Sequence, residues 1–166
     1  GAMYGLLALG FHITYVVSKW NQATETFVRR EVAAALAAGA VVQVVSLRVP
    51  GPSDGIVDDE AIRLVVPSVR TLPRGLMTGL RRSPIQLARS LGRILRLGRR
   101  QTLPDHLRAW VAAICVSAVL EDGDVVLAHF AWVSSTVADV LSSVLGRPFA
   151  VFAHAHAIFE ERCQDR

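Results

Sequence analysis

Lysine occurs once, at Lys19, and cysteine twice, at Cys115 and Cys163, in a chain of 166 residues. The two cysteines are far apart and form no C-x-x-C or Cys/His ligand spacing, which argues against a disulfide scaffold and a structural zinc site and fits a reducing cytosol. Aromatic residues make up only 7% of the chain, little material for stacking nucleic-acid bases. The longest apolar run near the start, residues 3–17, carries His12 and falls short of the ~20 residues that a spanning helix needs. It also lacks the charged flank and small-residue cleavage site of a signal peptide. No G-x-G-x-x-G or P-loop follows the first expected strand, and no G-x-S-x-G elbow occurs. Dinucleotide, nucleotide-hydrolysis and serine-hydrolase readings therefore lose their main support.

What is present suffices for one core. The composition is 52% apolar, and a chain of this length suits a single domain. Gly1 and Ala2 read as an expression scar ahead of Met3, leaving residues 3–166 as the domain. The short run His12–Val17 reads as a strand, residues 18–24 as a polar loop, and residues 25–38 as a helix rich in Ala, Glu and Arg. Thr24 is placed to cap that helix and Gly39 to stop it. The β-branched run Val41–Leu47 reads as a strand buried on both faces. A third strand is expected at Ile62–Val66, then an amphipathic helix between Pro84 and Gly98 and a second from about Pro104 to Leu120. A strand at Val125–His129, a helix over residues 134–145 and a last strand at Phe149–Ala153 follow. Strands alternating with helices predict an α/β fold, a doubly wound and mainly parallel Rossmann-like sheet. In such a sheet the loops after the carboxyl ends of the strands line one crevice. That places Lys19 to Glu25, His129, and His154 with His156 at a common rim.

Charge is unevenly spread. Ten arginines lie between Arg70 and Arg108 with only Asp105 among them, while the rest of the chain is net acidic. On the Pro84–Gly98 helix Arg89, Arg93, Arg96 and Arg100 recur at spacings of four, three and four, on a face other than that of Leu87, Leu91, Ile94 and Leu95. Three readings compete: a solvated face, attraction to an anionic membrane surface, and nucleic-acid binding. The last ranks lowest, because no docking motif accompanies the cations.

Three separated segments carry a family resemblance. Thr24, Glu25, Thr26, Phe27, Val28, Arg29, Arg30 and Glu31 resemble a Ser-Glu-Thr-Phe-Ile-x-x-Glu stretch. Ala128, His129 and Phe130, with downstream Gly146, Arg147, Pro148 and Phe149, resemble His-x-His-Phe followed by Gly-x-Pro-Phe. Phe152 to Phe159 resembles Thr-x-His-Ala-x-Asp-Ile-Tyr/Phe. In order and spacing these are similar to the amino-terminal domain of family 4 glycosyltransferases, the retaining enzymes of GT-B type, and most closely to colanic-acid and other polysaccharide members. The resemblance implies an acceptor-side domain that works with a nucleotide-sugar donor and a carbohydrate or lipid-linked acceptor. No metal or other cofactor and no nucleic acid is implied. A second, donor-holding domain would follow Arg166, and this stretch alone would not catalyse transfer. The location implied is cytoplasmic, peripheral on the inner face of the membrane.

By the same resemblance His154 is the catalytic histidine that reaches the donor sugar, and Thr24, Glu25, Lys19 and His129 contribute to substrate binding. Each has a plainer alternative: a first-turn acid for Glu25, a solvated loop cation for Lys19, a structural group holding the last loop for His129. A metal shared by His129 and His154 would lack a third ligand. The family's Asp is Ala157 here and its first strand-end His is Leu127. These departures keep open a non-catalytic, glycosyltransferase-like binding or membrane-docking module that needs a partner chain.

Overall fold

Side chains along β1, His12–Lys19, and β2, Val41–Arg48, are buried without alternation because both faces of these strands are covered. On β1 Ile13, Tyr15 and Val17 enter one apolar cluster and Val16 the other. The computed structural model describes residues 10–21, 26–52, 57, 59–97, 102–129 and 133–152. Among them, β3 at Arg63–Val65, β4 at Val125–His129 and β5 at Phe149–Phe152 complete an all-parallel sheet of order β3-β2-β1-β4-β5. The strand order reverses between β1 and β4, so the carboxyl ends of these two strands flank a topological switch point. This is the Rossmann-like α/β architecture that the alternation predicts. Boundaries differ in places: β1 runs on to Lys19, whose register partner is Arg48, β3 is shortened to Arg63–Val65, and the helix expected to reach Leu120 ends at Ser117.

Helix α1, Thr26–Ala37, covers one face of the sheet through Val28, Val32 and Ala35. Gly39 (φ 85°) ends it in the left-handed conformation that favours glycine. The other face is covered by α4, Leu103–Ser117, and α5, Val133–Leu145. Over these two lie α2, Leu72–Arg82, and α3, Pro84–Leu97. Sequence reading does not anticipate α2, because Pro73, Gly75 and Gly79 are all helix-breaking residues. Pro73 stands in the first turn, where its missing N–H has no helical partner to lose. Gly75 meets the Ile114 carbonyl of α4 and Gly79 faces Leu87 of α3, so the missing side chains are what let the three helices close up.

At the amino edge of the sheet a polar clasp ties the chain together. Gln43 donates to the Glu121 carbonyl and accepts from the Glu121 N–H, at 3.3 and 3.0 Å. The Arg147 guanidinium, buried at the start of β5, donates to the same carbonyl and to Asp122. Arg82 of α2 also reaches Asp122, and Arg63 pairs with Glu121. Asp124 accepts from the His12 N–H at 2.8 Å. Hydrogen bonding and charge from Arg82, helped by Arg147, hold the Asp122 carboxyl below its ordinary 3.8, whereas burial pushes the Arg147 guanidinium below its usual range.

Two outcomes follow. Gly75→Ala is expected to lower stability by about 1–3 kcal/mol, since a backbone carbonyl must give way. Gly92→Ala, in the middle of α3 with open space around it, is expected to raise stability by about 0.5–1 kcal/mol. Urea denaturation of both variants checks the opposite signs. Because the Asp122 carboxyl is depressed in the fold, its contribution is present above the unfolded carboxylate range and is lost as pH falls through the folded value. Asp122→Asn should therefore melt lower than the native chain at neutral pH, and the gap should close at acid pH.

Candidate functional site

The carboxyl edge of the sheet is organised around His129, the last residue of β4. Its side chain is 1% exposed. Phe152 of β5 is its direct register partner and stacks on the imidazole, with centroids 5.2 Å apart and planes at 17°. Tyr15 of β1 stacks from the other side at 5.9 Å, also at 17°. Phe27 of α1 meets the ring at 5.8 Å and a steeper tilt. Glu31 brings a carboxylate to the edge of this ring: its Oε2 lies 3.4 Å from His129 Nε2, within ion-pair reach but outside hydrogen-bond geometry. The other oxygen, Oε1, accepts from the Tyr15 hydroxyl at 3.3 Å.

Helical spacing explains how α1 delivers both groups. Phe27 and Glu31 are four residues apart and so share the face turned to the sheet. Glu31 keeps 32% of its side chain exposed. It stands on the wall of an apolar trough of about 300 Å³ that runs along α1 toward the amino ends of the strands, lined also by Phe11, Ile13, Tyr15, Asp124, Val125 and Pro148. A carboxylate in that position can accept hydrogen bonds from a hydroxyl-bearing ligand while its far side anchors Tyr15 and His129.

Neither a scan of protein-family models nor a search of curated proteins finds a match for this chain.

The expected site residues fall into two groups. His129 and Lys19 end the adjacent strands β4 and β1, at one edge of the sheet. His129 is enclosed by rings and by Glu31 and leaves almost no surface for a ligand to touch. Lys19 is half-buried and pairs with no carboxylate among the described residues. Thr24, Glu25, His154, His156 and Ala157 lie outside the described residues, as does Arg100. Their flanking neighbours do not: Phe27 and Phe152, each two positions from Glu25 and His154 respectively, both lie against the His129 ring. Among the described residues no three of His, Cys, Asp and Glu stand together as a metal site.

Arg93 departs from the expected stripe. It is bound into the fold, donating to Asp139 at 3.0 and 3.2 Å and to Ser143 at 2.7 Å on α5. Arg89 and Arg96 remain exposed.

Glu31 and Tyr15 are the members of this candidate site that sequence reasoning passes over. The signal was there in Glu31, which closes the Thr24–Glu31 stretch, but a helix-borne glutamate looks like surface until its strand partner is known. A double-mutant cycle of Tyr15→Phe and Glu31→Gln tests the link. Each single change should lower stability by about 0.5–1.5 kcal/mol, with a coupling of at least ~0.5 kcal/mol. Additive effects would separate the two side chains.

Proposed function

We propose that this chain is the acceptor-side domain of a retaining, nucleotide-sugar-dependent glycosyltransferase. It would work with a second domain that holds the donor and pass a hexosyl unit to a hydroxyl of a polysaccharide, glycolipid or natural-product acceptor. The observation that carries the reading is the meeting of three segments at one ring. The flanks of Glu25 and of His154, hundreds of atoms apart along the chain, both pack on His129 at the switch point of a parallel sheet. Ligands of open α/β sheets bind at such points.

The chemistry asked of the residues is positioning. The neutral His154 imidazole both donates and accepts, so it can hold a sugar hydroxyl and orient the ring for attack. Glu31 and Glu25 offer acceptors for the hydroxyls of the incoming saccharide, and Lys19 a cation for an acidic or phosphorylated group. His129 packs on Phe27 and Phe152, two residues from Glu25 and His154 in the sequence. A lipid-linked acceptor would bring the domain to the inner face of a membrane.

The test is transfer from a panel of UDP- and GDP-hexoses by the full-length protein. His154→Ala should reduce kcat by roughly a hundredfold with an unchanged melting temperature, the scale of a lost positioning contact. Undiminished transfer in that variant would retire the role of His154. Absence of transfer with every donor, together with saccharide binding that survives, would favour the non-catalytic module.

A further inference from the structure

The hairpin of α2 and α3 presents a surface that neither the fold nor sugar transfer uses. Both helices pack on α4, so their opposite sides face outward together. The outward side of α2 carries Arg74, Met77, Leu80 and Arg81, at helical spacing. That of α3 carries Ile85, Arg89, Leu95 and Arg96. The four apolar side chains are 49%, 52%, 63% and 52% exposed for Met77, Leu80, Ile85 and Leu95. Scattered exposed leucines need no explanation, but four on adjoining helices, interleaved with cations, form a patch that does.

Among the described residues, the charge on this patch meets no carboxylate. Residues 61–104 contain no Asp or Glu at all. Where an arginine of this region has a structural task it finds a distant acid: Arg63 takes Glu121, Arg82 takes Asp122 and Arg93 takes Asp139. Arg74, Arg81, Arg89 and Arg96 pair with no carboxylate among the described residues.

We propose that the outward face of the α2–α3 hairpin docks on an anionic membrane surface, with the four unpaired arginines at the headgroups and Met77, Leu80, Ile85 and Leu95 at the acyl boundary. The combination of cationic and aliphatic side chains along helices that lie side by side is what an interfacial helix needs. No helix among the described residues is long and apolar enough to cross a membrane, so the contact is in-plane. A nucleic acid would use the arginines but leave the aliphatic side chains without a partner, and no aromatic residue stands among them for base stacking. A second copy meeting this face symmetrically would oppose arginine to arginine. Membrane docking is independent of the sugar-transfer reading and survives its failure.

Co-sedimentation of the 166-residue chain with phosphatidylcholine vesicles, with and without phosphatidylglycerol, tests the proposal. Binding is expected only to the anionic vesicles and should fall as salt rises. The triple change Arg81→Glu, Arg89→Glu, Arg96→Glu should weaken it on the order of a hundredfold. Leu80→Ser with Ile85→Ser should weaken it as well while leaving the salt dependence in place. Arg93→Gln should lower the melting temperature yet leave vesicle affinity unchanged, which separates the docking face from the arginine that serves the fold. The salt titration of the native chain needs no variant to fold. Absence of binding to anionic vesicles, equal binding to neutral ones, or binding indifferent to charge reversal would each overturn the proposal. So would displacement from vesicles by a short RNA or DNA duplex when the Leu80 and Ile85 changes have no effect, or a dimer whose formation the apolar changes abolish.

Discussion

The ladder between β1 and β4 is the constraint on which the carboxyl edge depends. It joins two halves of the chain whose partners lie over a hundred residues apart, pairing Val16 with Ala128. Adjacent strands stand about 4.8 Å apart, and that spacing brings Tyr15, His129 and Phe152 into a stack across three strands. Burying an imidazole between rings would be unfavourable without a polar partner. Glu31 of α1 stands within 3.4 Å of the imidazole and accepts from the Tyr15 hydroxyl with its second oxygen. Backbone register, ring stacking and a single carboxylate thus fix one another, and the crevice inherits its shape from them.

Much of this is legible in the sequence. Continuous β-branched runs announce strands covered on both faces, and Gly39 and Gly146 mark helix ends where φ is positive. The alternation of elements is enough for the parallel sheet. The hairpin helix α2 is hidden because Pro73, Gly75 and Gly79 are unfavourable in isolation and acceptable only against α4 and Leu87. Tertiary packing overrides propensity there. Arg93 is misleading for a related reason: a periodic stripe on one helix does not reveal that Asp139 waits on another. His129 reads from sequence as a strand-end histidine, equally fit to meet a ligand or to support a loop, and only the rings around it decide that it supports.

The sheet separates two surfaces with different chemistry. On the α1 side, Glu31 and Tyr15 border an apolar trough that reaches Phe11, Asp124 and Pro148 at the amino ends of the strands. On the far side, beyond α4, the α2–α3 hairpin turns unpaired arginines and aliphatic side chains to the solvent. A domain built this way can hold a hydroxyl-bearing ligand at one place and rest on an anionic surface at another, with no shared residues. The polar clasp around Asp122 and Arg147 lies at the amino edge, where it ties β2, β5 and α2 to the loop before β4.

The central claim is that the segments bearing Glu25 and His154 meet at the His129 ring. Nuclear Overhauser contacts in an isotope-labelled sample of the chain test it directly. The account predicts contacts from residues 25 and 154 into the group formed by Phe27, His129 and Phe152. An intact β1–β4–β5 ladder in which either residue shows no contact with that group would contradict it.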